Sequence, residues 1–235
     1  MMFSGAFFGN RAFARQWIGK LKNKIIESLP ETYREHFQSR LTEVQLKRMT
    51  TMERPGAPIK YAYFLESGLA SVIAVGPNDN RTEVGIIGKE GLVGWLLVLG
   101  GERAHSQTMV QIEGVAYRIK AAELLQEISE SPDLRKALLR FSREFIAQVK
   151  QTALAYSRAT IPERLARWIL MAQDRVGRDS VALTHEMLSL MLGVRRAGVT
   201  EALKTLSEKG LIERGSGRIT VRDRAGLITC ANGFY

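Results

Sequence analysis

Residues 183–223 read LTHEMLSLMLGVRRAGVTEALKTLSEKGLIERGSGRITVRD. Two short helices joined by a tight turn account for the first half. Thr184 is a favourable N-cap, and Leu188, Met191 and Leu192 supply one buried side. Gly193 sits where a residue without a Cβ lets the chain reverse. Beyond it, Val199, Ala202, Leu203 and Leu206 recur at i, i+3, i+4 and i+7, the apolar face of an amphipathic helix. At 100° per residue, Ala197, Glu201 and Lys204 point the other way, with Arg195 and Arg196 at the N-terminal tip. A helix presented tip-first with two arginines suits a major groove, where the helix dipole and the guanidinium groups both attract phosphate. The segment LIERGSGRITV then reads as a β-hairpin. Gly215, Ser216 and Gly217 form its tip, and Arg214 and Arg218 flank it. Helix, turn, helix and basic hairpin in that order form a winged helix-turn-helix, which points to double-stranded DNA. The rival reading is a module that senses a ligand and signals through a protein partner without DNA.

Charge distribution agrees with a surface for an acidic partner. The 235 residues carry a net charge of +10, which favours polyanions. Residues 1–30 hold five Lys/Arg against one Glu, residues 31–160 hold 17 basic against 15 acidic, and residues 161–235 hold 12 against eight. Both ends are basic and the middle is close to neutral, as for modules with different tasks. Cys230 is the single cysteine, so neither an intrachain disulfide nor a cysteine metal cluster can form, and a reducing cytoplasm is the natural setting. The longest apolar run, residues 91–101, is about half of the ~20 residues a membrane-spanning helix needs. In residues 1–27 the aromatics precede the charges, the reverse of a secretory signal. That segment reads as a basic extension, either an arm packed on the body or an amphipathic anchor on a membrane surface.

Between residues 52 and 118 the texture is that of strands. Glycines and prolines punctuate short apolar runs such as YAYFL, LASVIAV and TEVGII, which predicts a sandwich or β-roll. Helical periodicity then returns. Ser131 and Pro132 cap and open one long helix, on which Leu134, Leu138, Phe141, Phe145, Gln148 and Thr152 recur at spacings of four and three. Such a stripe is the seam of a coiled coil and predicts a homodimer interface. The other reading is a helix lying against its own domain. The fold class is therefore α+β: a basic extension (1–27), a β-roll sensor (28–130), a dimerisation helix (131–160) and a winged helix-turn-helix (161–235).

With these elements in order, roughly residues 28–228 resemble the Crp/Fnr transcription regulators. The likeness is most specific in LTHEMLSLMLGVRRAGVTEALKTLSEKGLI, GRITVRDRAGL and PERLARWIL. The resemblance implies a homodimer that binds a pseudo-palindromic DNA site and contacts RNA polymerase. Arg196 falls where the family has an arginine that reads guanine, and a guanidinium can donate two hydrogen bonds to O6 and N7. Ala197 stands where a base-reading glutamate often lies, and Glu201 where an arginine can follow. The target sequence is thus expected to differ from the family's best-known site. Thr184, His185, Arg195, Thr200, Ser216 and Arg218 are expected at the DNA, with Arg195, Thr200, Ser216 and Arg218 contacting phosphate and setting register.

In cyclic-nucleotide-binding members a Gly-Glu pair holds the ribose, and an arginine followed by small residues holds the phosphate. Gly94, Trp95, Arg103 and Ala104 fall at those places. Trp95 cannot accept from a 2′-hydroxyl, so ordinary cAMP binding is not expected, and the effector is left open. Iron–sulfur sensing would need a cysteine cluster. His36, His105 and His185 are isolated, which argues against a metal site or a cupin-type enzyme. With neither a phosphate-cradling Gly-Lys-Ser/Thr loop nor a nucleophile elbow, no catalytic residue is assigned.

Overall fold

The computed structural model describes residues 21–215 and 217–235. Most of the predicted basic extension and the wing-tip Ser216 lie outside the described residues. Two short helices, α1 (Lys24–Glu27) and α2 (Glu31–Ser39), open the described chain. Asn23 explains why the first forms. Its Oδ1 accepts from the amides of Ile25 and Ile26, while its Nδ2 donates to the carbonyls of Leu65 and Gly91 at 2.9 and 2.8 Å. Ile25, Ile26 and Leu29 are buried in the first core. Residues 21–27, the last of the segment read as a basic extension, thus pack into the body through Ile25 and Ile26. The basic pattern of the segment had masked two core isoleucines.

Eight strands follow: β1 (Thr42–Leu46), β2 (Thr51–Glu53), β3 (Tyr61–Leu65), β4 (Leu69–Val75), β5 (Arg81–Ile87), β6 (Leu92–Val93), β7 (Gln107–Ile112) and β8 (Gly114–Lys120). They form two antiparallel four-stranded sheets, ordered β1-β8-β3-β6 and β2-β7-β4-β5. The runs YAYFL and LASVIAV are β3 and β4. Strands β4 and β5 are covered on both faces. Ala70, Val72 and Ile87 enter the core inside the roll, whereas Leu69 and Ile86 join a second core built by the C-terminal unit. This two-sided burial explains why LASVIAV is almost continuously apolar rather than alternating.

After α3 (Ala121–Glu130) comes the long helix α4 (Pro132–Arg158). Ser131 caps it, its Oγ accepting from the Leu134 amide at 3.2 Å. The stripe assigned to a seam between two copies is used inside one copy. Leu134, Leu138, Phe141 and Phe145 are buried against the roll, and Thr152 is buried as well. Two glycines make the fit possible. A Cβ on Gly91 would lie 2.1 Å from the Phe141 ring, and one on Gly85 would lie 2.9 Å from Phe145. Gln148 is half-buried and registers the helix to β5. It donates to the Ile86 carbonyl at 3.1 Å and accepts from the Ile86 amide at 2.8 Å. Periodicity identified a face that must be covered, but could not say by what. What α4 leaves uncovered is a different stripe, with Leu139 at 43%, Ile146 at 37% and Leu154 at 48% exposure.

The C-terminal unit comprises α5 (Ile161–Val176), β9 (Ser180–Ala182), α6 (His185–Leu192), α7 (Arg196–Glu208), β10 (Ile212–Gly215), β11 (Arg218–Val221) and α8 (Arg224–Cys230). A Thr160–Glu163 capping box starts α5, with Pro162 in its first turn. Its three strands form one antiparallel sheet, ordered β10-β11-β9.

Candidate nucleic-acid interface

Thr184 accepts from the Met187 amide at 3.2 Å and starts α6. Gly193 ends it with φ +61°, a left-handed conformation that favours glycine. Arg164 on α5 fixes this end, because its Nη1 donates to the last carbonyl of α6, at Leu192, at 3.1 Å. The chain turns through Val194 into α7. Val199, Ala202, Leu203 and Leu206 pack into the second core together with Leu188, Met191 and Leu192 of α6. Arg195, Arg196, Ala197, Thr200 and Glu201 are exposed on the other side. Arg195 occupies the N-cap position of α7 without a side-chain cap hydrogen bond, so its guanidinium is not spent on the helix.

Four of the residues expected at the DNA, Thr184, His185, Arg196 and Arg218, share one groove, whereas Arg195, Ala197, Thr200 and Glu201 lie outside its lining. Thr184 and His185 from α6, Arg196 from α7, and Arg214 and Arg218 from the hairpin line a cleft of about 260 Å³. Thr200 ties the starts of the two helices together. Its Oγ1 donates to the Arg196 carbonyl at 3.1 Å and lies 3.3 Å from His185 Nδ1. Arg218 lies 3.5 Å from Ser180 Oγ. Among the described residues, Arg195, Arg196, Arg214 and Arg218 have no acidic partner within 4 Å, in contrast to Arg222 with Glu213 and Arg224 with Asp174. Unpaired cations beside a helix N-terminus make a site for a polyanion. Arg214 completes this set as the hairpin's second basic flank, since wing and groove share that edge.

The four residues proposed for an effector divide into two pairs. Gly94 has φ +93°, and a Cβ there would stand 3.1 Å from the Ala62 Cα. Trp95, half-buried, opens a 3-10 helix (Trp95–Leu99) and sets its ring 5.1 Å from that of Phe145 on α4. Arg103 and Ala104 pack elsewhere, on the 56–58 loop. Arg103 is exposed and its Nη1 donates to the Gly56 carbonyl at 2.7 Å, while buried Ala104 exchanges main-chain hydrogen bonds with Gly56 and Ala57. Among the described residues, no group of three or more His, Cys, Asp or Glu could hold a metal ion.

Two family models match in the order of these units. The cyclic nucleotide-binding domain matches residues 43–131, and the Crp-like helix-turn-helix domain matches residues 163–230. Together they cover more than half of the chain. The chain belongs to the Crp/Fnr family. This Crp/Fnr protein is thus a DNA-binding transcription regulator. It is 24% identical over 192 residues to the global nitrogen regulator of Synechocystis sp., covering 77% of this chain and 84% of that protein. It is 25% identical over 182 residues to the transcriptional regulator SdrP of Thermus thermophilus, covering 74% and 84%. Its fold resembles that of FixK2 from Bradyrhizobium japonicum, with a TM-score of 0.70, 18% identity, and coverage of 81% of this chain and 96% of that one. It also resembles the c-di-GMP responsive global regulator CLP of Xanthomonas campestris, with a TM-score of 0.68, 16% identity, and coverage of 83% and 100%. No helix among the described residues of this Crp/Fnr protein is long and apolar enough to cross a membrane.

Proposed function

We propose that this Crp/Fnr regulator acts in the cytoplasm as a homodimer on a pseudo-palindromic DNA site, with Arg196 as its principal base-reading residue. The observation that carries this reading is the cluster of unpaired arginines on α7 and the wing. Arg196 is the base reader because it sits in the first turn of α7, beside the exposed Ala197 and Glu201. Arg195, Thr200, Arg218 and the start of α6 with Thr184 and His185 then meet the phosphates. RNA polymerase is the protein partner that membership of the family implies. Selection of bound duplexes from random DNA by the purified chain tests the reading. Two half-sites related by a two-fold axis, about 34 Å apart, are expected. Recovery of no preferred sequence would instead favour a module that signals through protein alone.

For the dimer, the supporting surface is the uncovered stripe Leu139, Ile146 and Leu154 on α4. These residues are seven and eight apart, the spacing of a face that meets a second long helix. Ile146→Glu is expected to convert the dimer to a monomer in sedimentation, at unchanged helix content. A dimer that persists would move the interface elsewhere.

The effector is not a cyclic nucleotide held in the usual manner. At the ribose position Trp95 offers no acceptor and packs toward Phe145, and the Arg103 guanidinium is engaged by the Gly56 carbonyl. The residues present do not fit that ligand.

A further inference from the structure

The DNA-binding unit is seated on β4 and β5 of its own sensor, and a single carboxylate lies in the joint. Glu83 on β5 is 4% exposed. Its Oε1 accepts from Trp168 Nε1 of α5 at 2.6 Å, and its Oε2 accepts from Ser71 Oγ of β4 at 2.5 Å. Its main-chain carbonyl accepts from the Tyr156 hydroxyl of α4 at 2.8 Å, and the Met191 carbonyl of α6 lies against the same hydroxyl. Three elements therefore meet at the carboxylate, and α4 and α6 join at the same residue through the Tyr156 hydroxyl.

The basic groups around Glu83 are already engaged. On α5, Arg164 serves the Leu192 carbonyl and lies over the Tyr156 ring, and Arg167 donates to the Phe234 carbonyl at 2.9 Å. Arg175 is paired with Glu90 at 2.7 Å. No cation among the described residues stands within 4 Å of the Glu83 carboxylate. An acid buried with neutral donors and without a counter-charge is costly to ionise. Opening the joint returns it to water and removes that cost.

We propose that Glu83 is a proton-operated latch between the sensor and the DNA-binding unit, closed when the carboxyl is protonated and loosened when the proton leaves. Burial pushes this carboxyl up to about 7, against the opposing pull of the Ser71 and Trp168 hydrogen bonds and of the Arg175 and Arg167 charges. In an opened joint it returns toward its ordinary value of 4.5. The closed joint thus binds the proton more tightly. Its stability is full below pH 4.5, falls as pH rises toward 7, and is level above that. Tyr156 does not share the titration, because burial raises its hydroxyl still further and keeps it protonated.

The test uses the full chain labelled with 5-fluorotryptophan, with Trp168→Phe identifying the Trp168 fluorine signal. Between pH 5.5 and 8.5 that signal is expected to move with a midpoint near 7. In Glu83→Gln, which keeps the volume and the acceptor for Trp168 but carries no charge, it should stay at its low-pH position. A signal that is static in the unaltered chain, or that moves equally in Glu83→Gln, would overturn the latch. The second readout is affinity for a selected duplex at pH 6 and pH 8, and only this part rests on the DNA-binding reading. The pH ratio is expected to differ between the two proteins by about threefold or more. His185 lies at the interface in both proteins, so its contribution cancels. Equal ratios would separate the latch from DNA binding and remove its regulatory role. Failure of both proteins to bind DNA would count against the DNA-binding reading while leaving the fluorine result intact.

Discussion

Truncating Phe145 to alanine is expected to lower the free energy of unfolding by about 3–5 kcal/mol, the usual range for an aromatic side chain removed from a core that cannot close up. Phe145 is 2% exposed, stacks on Phe141 with ring centres 6.0 Å apart, and meets Trp95 at 5.1 Å. Beneath it lies Gly85, which has no side chain to swing into the gap. On its own helix the next turn is fixed by the Gln148 hydrogen bonds to Ile86. Urea unfolding of the two proteins measures the difference. A loss below about 1 kcal/mol would show that the roll collapses onto the vacancy and that Phe145 is not the wedge described above. The reverse experiment has the same cause, because a methyl on Gly85 would stand 2.9 Å from the Phe145 ring. Phe145→Ala should also release the Trp95 ring and loosen the packing of the sensor's 3-10 helix on the long helix.

The second large effect is on recognition. Arg196→Ala is expected to weaken binding to the selected duplex by about 1–3 kcal/mol, tenfold for each 1.4 kcal/mol, and to relax preference at one base pair. Folding should be nearly unchanged, because Arg196 is exposed and pairs with no carboxylate among the described residues, while Val199, Ala202 and Leu203 hold the helix from beneath. Competition binding against duplexes altered at each position separates the two roles the residue could have. Equal weakening on every sequence would make Arg196 a phosphate contact, and base reading would pass to another residue of the α7 tip.

The reading head was legible in the sequence because its signals are local. A glycine between two helical periods, a threonine three residues before its amide partner, and a hairpin tip flanked by arginines each act within a few residues. The long helix was legible for the same reason at its Ser131–Pro132 start. Its environment was not. Leu134, Leu138, Phe141 and Phe145 show a stripe that must be covered, and a β-roll or a second helix satisfies that demand equally well. Ile25 and Ile26 were hidden by the lysines around them. Glu83 sits in TEVGII, where a strand would ordinarily turn a charge to water. Only the docking of α5 onto β4 and β5 makes it a buried group, and such docking joins residues 85 positions apart. At the sensor, the lack of an acceptor on Trp95 was legible from its chemistry, whereas its packing against Phe145 needed the fold.

Gln148 has a mechanical consequence. A helix advances 1.5 Å per residue and a strand about 3.3 Å, so the two have no common repeat along which one could ratchet past the other. With the Gln148 amide bound to both main-chain groups of Ile86 and the Tyr156 hydroxyl bound to the Glu83 carbonyl, α4 is pinned to β5 at two points. Sliding would break the bonds at both points and find no equivalent position, and pivoting about Gln148 would break the bond from Tyr156 to Glu83. β5 and the length of α4 between Gln148 and Tyr156 therefore move as one piece, and a displacement of the sensor reaches the Met191 carbonyl of α6 directly, with no lever between them.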